Sequence, residues 1–263
     1  MSDAPTSTGI GQPVRRKEDL RLLTGRGRYS DDLNLPGQAY AAMLRSPHAH
    51  AHIRSIDISA ALKMPGVLAV YTGADLAAEG IGAIDPDYFF MGPIEVQREM
   101  PDVVLVNRDG SDMFASPYHL LARDRARFNG QSVAMVVAES RYLAEDAVDA
   151  IEIAIESLPP IVVSEDALRD GVPIVHAGTE SNLYAETPAV DNPELDKVLA
   201  SAPVVVTETF KQHRYATVPM ETRGILAHWE PYRDELTIWI STQGPHGVRS
   251  LMARVLGLDD SQV

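Results

Sequence analysis

The sequence predicts an α+β protein built in two parts, and three observations carry that reading. Short strand-like runs separated by turn residues fill the first half, a continuous apolar run leads into a helical stripe near residue 140, and a hairpin runs straight into a helix near the end. Residues 170–194, with Gly171, Pro173, Gly178, Pro188 and Pro193 and little apolar periodicity, read as the linker between the two parts.

In chain order, residues 1–18 are polar, with Pro5, Gly9, Gly11 and Pro13, and read as a flexible N-terminal tail. Arg15, Arg16 and Lys17 are followed at once by Glu18 and Asp19, so they form a solvated or interface patch. Leu35, Pro36 and Gly37 make a tight turn; strands are predicted at 39–45, 50–58 and 67–72, with one helical turn at 59–63. His48, His50 and His52 alternate, which on a strand places them on one face; a polar face is the reading, with no metal assigned. Residues 77–118 are rich in Gly, Pro and Asp and read as a surface excursion, anchored by the apolar knot of Tyr88, Phe89, Phe90 and Met91.

Order returns with the apolar run 132–138, a buried strand. Ser140 is placed to cap a helix whose stripe is Leu143, Ala144, Ala147, Val148 and Ile151, with Glu145, Asp146 and Asp149 facing outward. Ile151, Ile153 and Ile155 alternate with polar or small residues, which is strand patterning. After the linker come a helix at 195–200, a strand at 204–210 and the hairpin formed by 225–229 and 236–240 around Pro231 and Asp234. In the last helix Val248, Leu251, Met252, Val255 and Leu256 share a face, and Gly257 stands where a cap glycine is expected.

Composition narrows the function. The chain has 263 residues, 45% of them hydrophobic, which suffices for a sizeable core. Its net charge of −14, from 37 acidic and 23 basic residues, argues against a nucleic-acid surface. No apolar run approaches the ~18 residues of a membrane span, and the N-terminus MSDAPTSTGIGQP has neither part of a signal peptide, so a cytoplasmic protein is expected. The absence of cysteine excludes a disulfide, a thiolate zinc site and an iron-sulfur cluster on this chain.

The candidate site is the turn Thr242, Gln243, Gly244, at a strand's C-terminal end ahead of a helix that starts near Pro245. Ligands bind at such places because backbone N–H groups and the positive helix end face outward. The Gln243 amide both donates and accepts, and the turn alone leaves it open between a ligand contact and a purely local hydrogen bond. Glu221 stays equally open between shaping the site and serving as a helix cap or an ion-pair partner of Arg223 or Arg214.

The segments VPMETRG (218–224) and STQGPHGVRSLMARVLGL (241–258) resemble the start of the molybdenum-binding region in the large subunit of the xanthine dehydrogenase, aldehyde oxidase and aerobic carbon monoxide dehydrogenase family. The series GRYSDD, RSPHAHA, ID, MPGV and TGADL, then GQSVAMVVAESRYLAEDAVDAIEIAIESLPPIVV, is similar to that family's α/β hammerhead domain. The resemblance implies a hammerhead-type domain of mixed short strands and helices over 19–168, a linker at 169–194, and the first part of an α/β molybdenum-cofactor-binding domain over 195–263. It implies that Gln243 hydrogen-bonds the apical ligand of molybdenum, that Gly244 allows close approach, and that Glu221 matches a family carboxylate.

The same resemblance implies a molybdenum hydroxylase that oxidises an aldehyde, an N-heterocycle or CO, with water as the oxygen source. Its cofactor would be molybdenum-molybdopterin in the cytosine dinucleotide form. FAD would lie on a medium subunit and [2Fe-2S] clusters on a small one, in a dimer of heterotrimers. The family's glycine-rich GGGFG-type loop and catalytic glutamate are not found in the sequence, so no catalytic residue is assigned here and this chain alone is expected to be inactive. The alternative expectation is a non-catalytic interaction or assembly module.

Overall fold

A computed structural model describes residues 15–84, 107, 110–111, 114, 116–184, 192–219 and 221–263. Most of the expected tail and the Tyr88, Phe89, Phe90, Met91 knot lie outside these residues. The chain divides into two compact units, Met1–Pro36 with Ala216–Gln243, and Gly37–Tyr215 with Gly244–Val263.

The larger unit is built on two antiparallel three-stranded sheets. In the first, β5 (Ser132–Ala138) lies between β1 (Tyr40–Arg45) and β3 (Val67–Thr72). This central position explains why β5 is a continuous apolar run: Val136 pairs with Ala42 on one side and with Val70 on the other. Between β1 and β3 the chain forms β2 (Ala51–Asp57) and the short helix α2 (Ser59–Leu62). A second short helix, α3 (Gly73–Ala78), follows β3. Its first turn is closed by Asp75, whose Oδ2 accepts from the Thr72 N–H at 2.7 Å and the Thr72 hydroxyl at 2.6 Å.

The helix α4 (Arg141–Asp149) packs on β1 and β5, and Ser140 caps it as predicted, accepting from the Leu143 N–H at 3.3 Å. A cap of this kind contributes about 1 kcal/mol. The core between helix and sheet holds Ala134, Val136 and Ala138 from the strand, Ala144 and Ala147 from the helix, and Ala61, Val70 and Ile151 around them. Alanines on both elements leave no large side chain to separate the backbones, so the helix lies close on the sheet.

The second sheet pairs β2 with β4 (Arg125–Ala126) on one side and β6 (Glu152–Ser157) on the other. Ile53 and Ile56 stand opposite Ile155 and Ile153, which accounts for the alternating isoleucines of β6. His48 and His50 fall in the turn ahead of β2, so only His52 is on the strand and the three do not form one strand face. His50 is buried, with Nδ1 3.0 Å from the carbonyl oxygen of Pro159.

Part of the stretch that composition reads as a linker is held by side chains. Asn182 accepts from the Val175 N–H at 2.9 Å and donates to the carbonyls of Ala167 and Pro173, while Arg125 Nη1 donates to the Ile174 carbonyl at 3.0 Å. The helix α5 (Pro193–Ser201) is capped by Asn192. The strand predicted at 204–210 does not form: these residues pair with no neighbour among the described residues, and Val204, Val206 and Phe210 are 77%, 79% and 90% exposed. Alternation supplies strand-compatible side chains, but a strand also requires a neighbour to take its backbone hydrogen bonds.

Two histidines of this unit give it a pH dependence. Burial, then the cations of Arg123 and Arg127, hold His119 below its usual pKa; Asp124 opposes them only weakly. Burial, then Arg127, Arg125 and His50, do the same for His176. The unfolded chain therefore binds protons at these sites first as pH falls through the ordinary histidine value of 6.5, and the native state is penalised. Melting temperature is expected to be level above neutrality from these groups and to fall below it, less steeply in His119→Gln. A wild-type curve flat down to the carboxylate range would contradict this.

In the smaller unit, α1 (Asp19–Leu23) and a single 3-10 turn, Ser30–Asp32, precede the hairpin β7 (Ile225–Glu230) and β8 (Glu235–Ile240). The hairpin keeps its predicted position, with Leu226 opposite Trp239 and His228 opposite Thr237. Its loop closes with Asp234 at φ 59°, a left-handed position that aspartate tolerates, while the Asp234 N–H donates to the Glu230 carbonyl at 2.9 Å.

Candidate functional site

β8 ends at Ile240, and the last helix, α6 (Pro245–Leu256), begins five residues later. The division between the two units falls at the Gln243–Gly244 peptide bond, so the two sides of the turn are taken separately.

On the hairpin side Gln243 is exposed, and its side chain makes no hydrogen bond among the described residues. The amide is thus not used to close its own turn, which was one of the two readings the turn left open. On the helix side Gly244 occupies the N-cap with φ −131°, a conformation any residue adopts, and a Cβ there would meet nothing within 4 Å. Neither backbone conformation nor crowding within the chain requires glycine at this position.

The start of α6 is short of internal acceptors. Gly244 has no side chain to cap the first turn, Pro245 has no N–H, and no acidic residue stands in that turn. The N–H groups and positive dipole end of a twelve-residue helix are therefore available to a negatively charged ligand. The other end is closed by Gly257 at φ 69°, with the Leu258 N–H donating to the Ala253 carbonyl at 2.8 Å, as the glycine's position predicts.

Glu221 is drawn elsewhere. Its Oε1 accepts from the Ser30 N–H at 3.1 Å and from the Ser30 hydroxyl at 3.3 Å, which fastens the Ser30–Asp32 turn to the segment entering β7. Gly224 sits against the same turn, since a Cβ at that position would come within 2.8 Å of Ser30 Oγ. Among the described residues Glu221 makes no ion pair with Arg223 or Arg214 and no hydrogen bond to Gln243. Its place is that of a carboxylate at the head of a short helical turn, reached across a separation of 191 residues. Sequence reasoning missed Ser30: its motif was recognised, but nothing local links GRYSDD to PMET. Among the described residues no cluster of three or more His, Asp and Glu side chains is arranged to hold a metal ion.

The chain is similar to proteins of one family. Residues 24–96 and 99–159 match the profile of the aldehyde oxidase and xanthine dehydrogenase α/β hammerhead domain, and residues 175–263 match that of the molybdopterin cofactor-binding domain. The chain is 38% identical over 257 residues to the nicotine 6-hydroxylase large subunit of Paenarthrobacter nicotinovorans, covering 98% of this chain and 29% of that protein. It is 33% identical to the carbon monoxide dehydrogenase large chain of Hydrogenophaga pseudoflava, covering 94% of this chain and 29% of that one. Among solved structures, quinoline 2-oxidoreductase from Pseudomonas putida 86 superposes with a TM-score of 0.79 at 37% identity, over 96% of this chain and 29% of that chain. Carbon monoxide dehydrogenase from Oligotropha carboxidovorans gives 0.77 at 30% identity, over 97% of this chain and 30% of that chain. The chain thus spans about three-tenths of the length of the relatives it matches.

Proposed function

Because this chain belongs to the aldehyde oxidase and xanthine dehydrogenase family, we propose that it forms the hammerhead domain and the first cofactor-contacting turn of a molybdopterin-dependent oxidoreductase large subunit. The observation that carries this reading is the uncommitted Gln243 amide, followed at once by a helix start without a cap, inside the stretch that matches the molybdopterin-binding profile.

Those residues fit such a group. Gln243 would offer the group a neutral donor, Gly244 would leave room for close approach, and the N–H groups of the first turn of α6 would favour its negative charge. When bound, molybdopterin supplies the two-electron oxidation chemistry; the protein's part is orientation and electrostatics. Glu221 acts indirectly, by holding the Ser30–Asp32 turn against the segment entering β7. These 263 residues have no cysteine to hold an iron-sulfur cluster, and we propose that FAD lies on a medium subunit and [2Fe-2S] clusters on a small one, paired as a dimer of heterotrimers in the cytoplasm. The cofactor is proposed to be the cytosine dinucleotide form.

Substrate oxidation would insert oxygen from water. Relatives at 38% and 37% identity are named for nicotine and quinoline, against 33% and 30% for the carbon monoxide dehydrogenases, so a nitrogen heteroaromatic is the first substrate class to assay. The complete large subunit, purified with its partner chains, is expected to contain stoichiometric molybdenum, release a cytidine nucleotide on acid hydrolysis and oxidise N-heteroaromatics faster than aldehydes or CO. Absence of molybdenum from a folded complex would overturn the proposal and favour an assembly role.

A further inference from the structure

The tie between Glu221 and Ser30 sits at one particular end of the hairpin. Ile225, the first residue of β7, pairs with Ile240, the last of β8, so the ladder is open where β7 begins and β8 leaves. Gly224 is the next residue outward on the first side, and Ser241, Thr242 and Gln243 follow on the second. Three residues of extended chain span at most about 10 Å. A contact that fixes Gly224 therefore fixes the strand end that carries Gln243.

The Ser30–Asp32 turn makes that contact. A Cβ at Gly224 would lie 2.8 Å from Ser30 Oγ and 3.5 Å from Ser30 Cβ, so the glycine lets the Ser30 side chain rest against the backbone entering β7. The turn is closed from within: the Tyr29 N–H donates to Asp32 Oδ2 at 2.9 Å, and the Asp32 N–H donates to the Tyr29 carbonyl at 3.1 Å. Ser30 is left with two donors, its N–H and its hydroxyl, and a single oxygen, Glu221 Oε1, accepts both in a half-buried place. Two charge-assisted bonds to one atom fix orientation as well as distance. The hammerhead profile takes in residues from 24 onward, yet the chain up to Pro36 belongs to the same compact unit as the hairpin and Gln243.

We propose that Ser30, Glu221 and Gly224 are positioning residues for the Gln243 amide: they clamp the open end of the hairpin and, through the Ile225–Ile240 pair, set the place of residues 241–243. The catalytic part of this proposal rests on the cofactor role proposed for Gln243. It assigns the GRYSDD motif, nearly two hundred residues away in sequence, to the turn at Gln243.

The test uses the complete large subunit with its partner chains, with molybdenum content measured in every variant. A misplaced donor costs rate rather than affinity, so Glu221→Ala is expected to lower kcat about tenfold with KM little changed. Glu221→Gln keeps an oxygen able to accept both bonds and is expected to stay within about twofold of wild type. In a Gln243→Ala background, Glu221→Ala is expected to cost little more, because the group it positions is already gone. Hydrogen exchange gives a readout free of turnover: backbone amides of 240–243 are expected to exchange about tenfold faster in Glu221→Ala and at the wild-type rate in Glu221→Gln. Should Glu221→Ala fail to fold, Ser30→Ala removes one of the two bonds and carries the same expectations at smaller size.

Multiplicative losses in the double variant, Glu221→Gln as slow as Glu221→Ala, or unchanged exchange would overturn the clamp. Full turnover in Gln243→Ala at full molybdenum occupancy would instead overturn the cofactor role of Gln243 and the catalytic part of this proposal with it, while the exchange rates still decide whether the clamp sets the turn.

Discussion

Gln243→Ala in the complete large subunit, with its partner chains present, is expected to lower turnover about a hundredfold while leaving fold and molybdenum content unchanged. The size follows from removing one preorganised donor aimed at charge that develops in the transition state, typically ~3 kcal/mol. The fold is expected to survive because Gln243 is exposed and its side chain makes no hydrogen bond among the described residues, so truncation removes none of theirs. Gln243→Glu should be slower still, since an ionised carboxylate cannot donate and repels an electron-rich ligand. Steady-state kinetics alongside metal analysis decides the matter: full turnover in Gln243→Ala at full molybdenum occupancy would make this residue a bystander.

Gly73→Ala is expected to be the most damaging small substitution in the larger unit. A Cβ there would lie 2.7 Å from the Ala122 carbonyl oxygen and 2.9 Å from that of Leu121, both backbone atoms that cannot rotate away. The segment carrying them is anchored, with the Ala122 N–H donating to the Ser132 carbonyl at 2.8 Å. Relieving the overlap moves α3 or that segment, at a cost of about 3 kcal/mol, or a melting point lower by about 10 °C. Gly247→Ala is the control: nothing lies within 4 Å of its Cβ, and alanine is the better helix former, so stability should hold or rise by up to about 1 kcal/mol. Equal melting curves for Gly73→Ala and wild type would show that the 121–122 segment yields freely.

Much of this fold was readable because its determinants are local. The apolar run of β5, the Ser140 cap, the hairpin and Gly257 each declare themselves within a few residues. α3 was missed although TGAD carries its own capping signature, Thr72 with Asp75 three residues later. β4 is two residues long, too short for any periodicity. The error at 204–210 has the opposite cause: the pattern was present and the pairing partner was not. For the candidate site, the position of Gln243 before a helix was legible from turn and helix signals. The commitment of Glu221 to Ser30 was not, since hydrogen bonds between distant segments leave no trace in spacing.

The proposed role of Gln243 sets its amide against the molybdenum centre of the complete enzyme. Its most direct test is electron-nuclear double resonance on the paramagnetic, partly reduced molybdenum centre of complete subunit grown with glutamine labelled by 15N in the side-chain amide. A 15N coupling in the wild-type enzyme that vanishes in Gln243→Ala is the predicted result. No coupling in the wild type, or the same coupling in both proteins, would contradict the claim.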